Sequence, residues 1–258
     1  TNTSIAENAG SSITITAQLS GAADEDVTVD LSTSGTATEG TDYTDGSGNI
    51  DDITISAGST TGTVNFTPTN DAIYEGNETA TIQINSLSGA DATINLGGNS
   101  VSITITEDES APTVALSVSA TSIAENSGSS LTITATLSGK ADEDVTVTIG
   151  TGGTSTEGTD YTDGSGNLND ITISANSTTG TVTFTPTDDS VYEGSETAIV
   201  SIDSVSGADA TEDGTQSVTI TITDNESAPT VTLAVSATSI AENAGSSLTL
   251  TATLSGVT

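Results

Sequence analysis

Carboxylates are the only abundant side chains in this sequence that could do chemistry. The chain has 36 Asp and Glu residues against a single basic residue, Lys140, and it has no His or Cys. Clustered carboxylates offer hard oxygen ligands, of which Ca²⁺ takes about six to eight. Held together without a cation, they would repel and raise one another's pKa values. The composition therefore favours divalent-cation binding, with calcium a better fit than the strictly octahedral Mg²⁺.

The acids recur at four motifs, and the set is present twice. The first copy reads Ala6-Glu7-Asn8, Gly40-Thr41-Asp42-Tyr43, Asp71-Ala72-Ile73-Tyr74-Glu75-Gly76-Asn77-Glu78 and Glu107-Asp108-Glu109. The second reads Ala124-Glu125-Asn126, Gly158-Thr159-Asp160-Tyr161, Asp189-Ser190-Val191-Tyr192-Glu193-Gly194-Ser195-Glu196 and Asp224-Asn225-Glu226. Because acidic and apolar residues recur in register, each copy is expected to carry the same fold and the same cluster.

The spacing of the copies predicts the domain organisation. The pentapeptide Ser-Ile-Ala-Glu-Asn begins at residues 4, 122 and 239, and such a period is long enough for a whole domain. We predict a repeat lacking its first strand over residues 1–110, a complete repeat over 111–227, and the first two strands of a third repeat over 228–258. An isolated two-stranded fragment is marginal in stability.

The residue types argue against an enzyme. Nucleophilic catalysis by the usual pairs needs His, Cys or Lys beside Ser or Thr, and the chain has one Lys and neither of the others. Paired carboxylates could hydrolyse glycosides, but the aromatic platforms of sugar clefts are missing, since there is no Trp. The four Tyr and two Phe residues are expected to fill domain cores.

The net charge of −35 limits the partners. Nucleic acid and anionic membrane surfaces are excluded by repulsion, and no apolar run approaches the roughly 20 residues that span a bilayer. Two simpler interpretations of the charge remain open. The acids could be a solvated coat that keeps the protein soluble, or the chain could be disordered, for which low hydrophobicity and high charge are typical.

A strict alternation of apolar residues and Thr argues against disorder. In residues 12–19, Ile13, Ile15, Ala17 and Leu19 fall on every second position, as on one face of a β-strand. The pattern returns in both copies, and no segment has a helical period. Strands of about five to eight residues between Gly, Asp, Asn and Ser turns predict an all-β protein of tandem antiparallel Ig-like β-sandwich domains, with about seven strands each.

The four ordered motifs resemble those of Calx-β domains, which were first recognised in sodium/calcium exchangers and are common in tandem arrays of bacterial surface adhesins. The resemblance covers both repeats and most of the third fragment. In calcium-binding members, carboxylates at these motifs gather at one end of the sandwich beside the linker to the next domain. The closing tripeptides differ from the family's frequent all-Asp run, which implies that the second repeat binds fewer ions or binds them more weakly.

Carried over residue by residue, the resemblance implies two sets of Ca²⁺ ligands. The first set is Glu7, Asp42, Asp71, Glu75, Glu78, Glu107, Asp108 and Glu109. The second set is Glu125, Asp160, Asp189, Glu193, Glu196, Asp224 and Glu226. The loops over residues 45–52 and 163–170 fail the EF-hand spacing and are expected to be plain hairpin turns.

The function expected from these features is that of a calcium-binding repeat segment in an extracellular adhesive or structural fibre. Calcium would rigidify the domain junctions, and the partners would be neighbouring repeats of the same chain. One alternative is a subunit of a self-assembling filament or surface layer, in which copies of the chain complete one another's domains by strand addition. Another is a calcium sensor module, although the sequence supplies no bistable partner element.

Overall fold

The computed structural model describes residues 3–255, and these residues form β-structure. The strands before residue 112 are β1 Thr3–Ala6, β2 Ile13–Gln18, β3 Val27–Gly35, β4 Tyr43–Thr44, β5 Ile53–Ile55, β6 Thr61–Pro68, β7 Ile73–Tyr74, β8 Glu78–Gly89 and β9 Ser100–Thr106. Those that follow are β10 Thr113–Val118, β11 Ser122–Ala124, β12 Leu131–Leu137, β13 Lys140–Ala141, β14 Val145–Gly153, β15 Tyr161–Thr162, β16 Ile171–Ile173, β17 Thr179–Pro186, β18 Glu196–Ser206, β19 Thr211–Glu212, β20 Ser217–Thr223, β21 Val231–Val235 and β22 Leu250–Leu254.

Helix is limited, in this described range, to one 3₁₀ turn at Glu125–Ser127. None of the helical structure among residues 3–255 is long and apolar enough to cross a bilayer. The predicted alternation is confirmed by burial. In β16, Ile171 and Ile173 are buried on either side of the exposed Thr172, because successive side chains of a strand point to opposite faces.

The first compact unit comprises residues 3–112 together with residues 139–143. One of its sheets has the order β1-β9-β8-β3-β5, and the other has the order β2-β6-β4. The short strand β13 pairs in parallel with β7 within this unit. All pairs of the larger sheet are antiparallel except β1 with β9, which run parallel and bring the ends of both strands to the same edge.

The second compact unit comprises residues 113–138 and 144–255. It is a β-sandwich of two five-stranded sheets, with the orders β15-β17-β12-β10-β19 and β11-β20-β18-β14-β16. The sandwich fold is therefore the one predicted. Its strand number exceeds seven because two- and three-residue strands such as β15 and β19 leave no periodic pattern in the sequence.

Aliphatic residues and one stacked aromatic pair form each core. The rings of Tyr43 and Phe66 are 4.6 Å apart, and the rings of Tyr161 and Phe184 have the same separation in the second unit. All four rings are at least 99% buried. The prediction that the aromatic residues fill cores is confirmed for these four rings, but it is wrong for Tyr192, which is 37% exposed. The buried rings of Tyr43 and Tyr161 hold the turns that contain Asp42 and Asp160 against the core.

Strands β21 and β22 form a separate two-stranded hairpin. The pairing of Val231 with Leu254 repeats that of Val114 with Leu137 in the second unit. The hairpin's apolar side chains are exposed, with Leu233 reaching 73% exposure. The hairpin is thus built like the first two long strands of a sandwich but has no opposing sheet among the described residues.

Candidate metal centres

The tight turn after β7 builds the first part of the site. Gly76 has φ +73°, a left-handed conformation that glycine adopts without strain. This turn points the main-chain N–H groups of Glu75 and Gly76 at Oε2 of Glu107, at 2.6 and 2.8 Å. Successive N–H groups in such a turn form an anion-binding nest. The Tyr-Glu-Gly motif therefore fastens the end of β9 to the turn that carries Glu75.

The first carboxylate cluster contains Glu7, Glu107, Asp108 and Glu109, with oxygens that lie within 4.8 Å of one another. The chain just after β1 supplies Glu7, and the chain just after β9 supplies the others, because the parallel pairing of β1 and β9 brings both ends together. Glu7 is only 5% exposed, and its Oε1 accepts a hydrogen bond from the N–H of Asp71 at 2.8 Å.

The second cluster contains Asp42, Glu75 and Glu78, again with oxygens within 4.8 Å of one another. Asp42 is 9% exposed, and its Oδ2 accepts a hydrogen bond of 2.5 Å from the N–H of Thr38. It precedes Tyr43, whose buried ring holds this loop against the core. Glu78 opens β8, so an element from each side of the sandwich contributes to the cluster.

Protonation is favoured where these acids crowd together. Burial, followed by repulsion from Asp42, raises the pKa of Glu75 to about 7 and that of Glu78 to about 8. The facing carboxyl group of Glu107, followed by burial, raises the pKa of Glu109 to about 7. Burial acts to raise the pKa of Glu107 as well, but its main-chain hydrogen bonds from Glu75, Glu109 and Gly76 outweigh burial and lower it. A cation would relieve the repulsion that the other carboxylates experience.

The second unit repeats both clusters. Glu125, Asp188 and Glu226 form one, and Asp160, Glu193 and Glu196 form the other, with the same 4.8 Å limit between oxygens. The pKa of Glu125 is raised to about 7, chiefly by burial and then by Glu226. The pKa of Glu196 is raised to about 7, chiefly by burial and then by Asp160. Carboxyl groups with raised pKa values, crowded by neighbouring carboxylates, are thus present at equivalent places in both units.

Three of the predicted ligands are not members of these clusters. Asp71 and Asp189 are exposed, and each accepts a hydrogen bond from the N–H two residues on, at 2.7 Å. These hydrogen bonds shape the turn before the Tyr-Glu-Gly motif. Asp224 instead accepts hydrogen bonds from the N–H groups of Glu193 and Gly194 at 2.7 and 2.5 Å, which is the role that Glu107 has in the first unit.

Sequence reasoning missed two acids near the clusters. Asp188 lies beside Glu125 and Glu226, whereas the equivalent residue of the first repeat is Asn70. Its position directly before the predicted Asp189 was the available signal. Asp142 belongs to the first unit through residues 139–143, and its pKa is raised by burial, then by Glu143, Asp42 and Glu107. No motif marks Asp142, because only the folded chain brings it to this end of the unit.

Two buried oxygens indicate that the clusters suit a cation. Among the described residues, Oε2 of Glu109 and Oε2 of Glu226 are buried and have no hydrogen-bond partner. The two residues occupy equivalent positions in the two repeats. A buried carboxylate oxygen without a donor is costly unless a positive charge lies beside it. The donor set consists of hard oxygens from several loops, which fits the variable geometry of Ca²⁺.

Other acids have structural roles that the chain itself satisfies. Glu39 accepts hydrogen bonds from the N–H of Ile50 at 2.6 Å and the hydroxyl of Thr33 at 2.9 Å. In the loop over residues 45–52, Oδ1 of Asp45 accepts hydrogen bonds from the N–H groups of Ser47 and Gly48. This loop is a turn closed on its own aspartate. The prediction that it is a hairpin turn is wrong, because the strands it joins, β4 and β5, lie in different sheets.

Comparisons with known proteins give one family and several distant structures. The Calx-beta domain model matches residues 1–109 and again residues 107–226. A crystal structure of CBD12 from CALX1.2 is 16% identical with a TM-score of 0.38, covering 86% of this chain and 96% of that one. Invasin, a bacterial integrin-binding protein, is 18% identical with a TM-score of 0.38, covering 96% of this chain and 43% of its own. No match was found among curated proteins.

Proposed function

Because this chain belongs to the Calx-beta domain family, we propose that it is a calcium-binding repeat segment whose carboxylate clusters hold Ca²⁺ at one end of each β-sandwich. The proposed ligands in the first unit are Glu7, Asp42, Glu75, Glu78, Glu107, Asp108 and Glu109. Those in the second unit are Glu125, Asp160, Asp188, Glu193, Glu196 and Glu226. Asp71, Asp189 and Asp224 would position these ligands rather than bind the ion.

The observation that carries this proposal is the pair of unpartnered oxygens, Oε2 of Glu109 and Oε2 of Glu226. Each lies in a cluster made of carboxylates, in a chain that has Lys140 as its single basic residue. A coat of solvated acids would leave such oxygens exposed to water. Burial of an acceptor beside further acceptors is the arrangement that a bound cation stabilises.

We extend the proposal to a mechanical role in an extracellular adhesive or structural fibre. Only three residues separate the run Glu107-Asp108-Glu109 from Thr113, where the second unit begins. Ions bound there would neutralise the acids that precede the next repeat and so restrict bending of the short connection. Without ions, like charges in the connection would repel and let it flex.

The proposed setting is the cell surface, with neighbouring repeats of the same chain as the partners. Millimolar extracellular calcium would keep even weak sites of this kind filled, since extracellular modules bind with dissociation constants of about 10⁻⁴ to 10⁻³ M. The net charge of −35 supports a partner set without nucleic acid and without insertion into a membrane.

Calcium titration with calorimetry and thermal unfolding tests the binding. Excess Ca²⁺ should raise the unfolding midpoint above that in chelator, because a ligand that binds only the folded state stabilises it. The same concentration of Mg²⁺ is the control for general screening. Equal midpoints in Ca²⁺, Mg²⁺ and chelator at matched ionic strength would contradict the proposal and leave the acids as a solubility coat.

Small-angle X-ray scattering tests the mechanical role separately. The distribution of conformations should narrow when calcium is added to the full chain and broaden when it is chelated. Calcium binding by calorimetry without any change in scattering would preserve the metal sites but reject stiffening of the connection.

A further inference from the structure

Asp142 is an acid of the first unit that neither the repeated motifs nor the proposed ligand set includes. It lies in residues 139–143, which interrupt the chain between β12 and β14 and which belong to the first unit. The backbone of this segment forms β13, so strand pairing with β7 brings Asp142 into the unit. The position of Asp142 is therefore fixed by main-chain contacts that do not depend on the carboxylate clusters.

Pairing of β13 with β7 places Asp142 beside the Tyr-Glu-Gly turn. In the parallel register Ala141 lies opposite Tyr74, so the residues that follow them are Asp142 and Glu75. The N–H of Asp142 donates a hydrogen bond of 3.2 Å to the carbonyl oxygen of Tyr74. Ala141 is only 1% exposed, as expected for a segment packed against its neighbours. The backbone thus sets Asp142 next to one member of the second cluster, Glu75.

The charges that act on Asp142 come from both clusters of the first unit. Its pKa is raised by burial, then by the next residue in the chain, by Asp42 and by Glu107. Asp142 in turn adds to the effects of burial and of Asp42 that raise the pKa values of Glu75 and Glu78. Because the interaction between two charges weakens with distance, these mutual effects place Asp142 near members of each cluster.

The second cluster leaves room in the ligand shell of Ca²⁺. Asp42, Glu75 and Glu78 contribute three carboxyl groups, whereas Ca²⁺ takes about six to eight oxygens. Even if each group bound through both of its oxygens, the shell would be filled only to its lower limit. A carboxyl group from another segment is therefore a suitable further ligand, and β13 delivers one beside Glu75.

The distances between oxygens are compatible with this role. Asp142 is not among the acids whose oxygens all lie within 4.8 Å of one another. A calcium–oxygen distance is about 2.3–2.6 Å, so two ligand oxygens on opposite sides of an ion lie about 4.6–5.2 Å apart. A ligand that closes the shell from the far side can therefore fall outside such a group. Asp142 lies at the surface, where its side chain can turn toward an ion without disturbing the core.

We propose that Asp142 is a further ligand of the Ca²⁺ ion held by Asp42, Glu75 and Glu78, and that this ion fastens β13 to β7. The inference rests on the proposed calcium binding and deepens it by assigning a ligand that none of the motifs contains. Without the ion, repulsion between Asp142 and the cluster opposes the pairing of β13. With the ion, the same carboxyl groups share a positive charge. Calcium binding and the pairing of β13 therefore strengthen each other, because such coupling is reciprocal.

Calorimetry of the full chain tests the ligand. Asp142→Asn removes the charge but keeps the size of the side chain, and it should weaken one class of calcium sites by at least about tenfold. Substitution of residues that only support a metal ligand typically costs that much, so loss of a ligand should cost no less. Asp24→Asn is the matched control. Asp24 is the equivalent residue of the first repeat and belongs to none of the four carboxylate clusters, so this variant should bind like the parent chain.

Salt separates a ligand from a charge that acts through space. The Debye length falls from about 8 Å at 0.15 M ionic strength to about 3 Å at 1 M, so long-range interactions are largely screened at 1 M. The ratio of calcium affinities between the parent chain and Asp142→Asn should persist at 1 M salt, because a direct ligand is lost. A ratio that falls to that of Asp24→Asn at 1 M would overturn the assignment of Asp142 as a ligand.

Hydrogen exchange tests whether the ion fastens β13. In the parent chain, calcium should slow exchange in residues 139–143 relative to chelator, because the N–H of Asp142 is protected only while it is bonded to Tyr74. Asp142→Asn should lose most of this slowing. Residues 21–25, the equivalent segment of the first repeat, are the internal control and should exchange at nearly the same rate in both conditions. Calcium binding without slower exchange in residues 139–143 would overturn the fastening of β13.

The outcomes distinguish this inference from the proposed function. Equal calcium affinities of the parent chain, Asp142→Asn and Asp24→Asn would reject Asp142 as a ligand and leave the calcium sites themselves in place. A parent chain that binds no calcium would reject both the ligand and the sites. A loss of affinity confined to Asp142→Asn, together with faster exchange of its residues 139–143 in calcium, is the result that the proposal requires.

Discussion

The N–H of Gly76 donates a hydrogen bond of 2.8 Å to Oε2 of Glu107, and this contact joins two of the motifs that the sequence repeats. Gly194 makes the equivalent contact with Asp224. In each unit the turn at this glycine fixes the position of the acid that follows β9 or β20. The site is therefore built from main-chain donors as much as from side chains.

Substitution of Gly76 by Ala should destabilise the first unit. A left-handed conformation costs an L-residue roughly 1–2 kcal/mol, and Gly76 has φ +73°. A Cβ added at Gly76 would meet no other atom within 4 Å, so the loss should come from backbone strain alone. The calcium affinity of the first unit should fall together with its stability. Denaturant unfolding and calorimetry measure the two effects. Gly21→Ala, at an exposed glycine without positive φ, is the control and should change neither.

Glu109→Gln should have opposite effects in the two metal conditions. In chelator the variant should unfold at a higher temperature, because it removes a carboxylate that Glu107 opposes. Calcium should raise the unfolding temperature of this variant less than that of the parent chain, because the variant's calcium affinity should be lower by about tenfold, or ~1.4 kcal/mol. Glu226→Gln should behave in the same way in the second unit, and the exposed Glu25→Gln should behave like the parent chain. A lower midpoint in chelator would contradict this account.

Stability in chelator should fall as pH rises. The folded-state pKa values of Glu75, Glu78 and Glu109 are raised to about 7, 8 and 7 from an ordinary value of 4.5. The folded state therefore binds more protons than the unfolded state between these limits, and the free energy of unfolding decreases with pH there. Melting at pH 5, 6, 7, 8 and 9 should give a declining midpoint, because Glu78 loses its proton only as the pH rises through about 8. Saturating calcium should reduce this decline. A midpoint that rises with pH in chelator would show that the clusters are not strained.

Asp188→Asn and Asp189→Asn should separate a ligand from a positioning residue. Asp188 lies within the cluster of Glu125 and Glu226, so its amide variant should weaken calcium binding by the second unit. The first repeat has Asn70 at the equivalent position, so an amide there is compatible with the fold. Asp189 accepts a hydrogen bond from the N–H of Val191, which an Asn side chain can replace. Calorimetry should therefore find that Asp189→Asn binds calcium about as well as the parent chain. A larger loss of calcium affinity in Asp189→Asn than in Asp188→Asn would reverse the two assignments.

The sequence by itself determined the all-β fold and the presence of repeated copies of it along the chain. Alternation with a period of two needs only the local chain, so Ile171 and Ile173 could be assigned to a buried face without tertiary information. The repeated motifs likewise identified the loops that carry acids, because their order and spacing are properties of the chain. Glu7, Asp42, Glu75 and Glu78 were predicted from the resemblance of these motifs to those of Calx-β domains, and all four lie in carboxylate clusters.

Tertiary structure decided which acids share a cluster and which shape the backbone. Asp71 and Glu78 belong to one motif, yet the first closes a turn and the second joins Asp42 across the sandwich. Asp142 reaches the first unit through a short segment that no local pattern marks. Long-range strand pairing fixes these positions. Distances between residues far apart in the chain are set by packing, which neither residue type nor local spacing encodes.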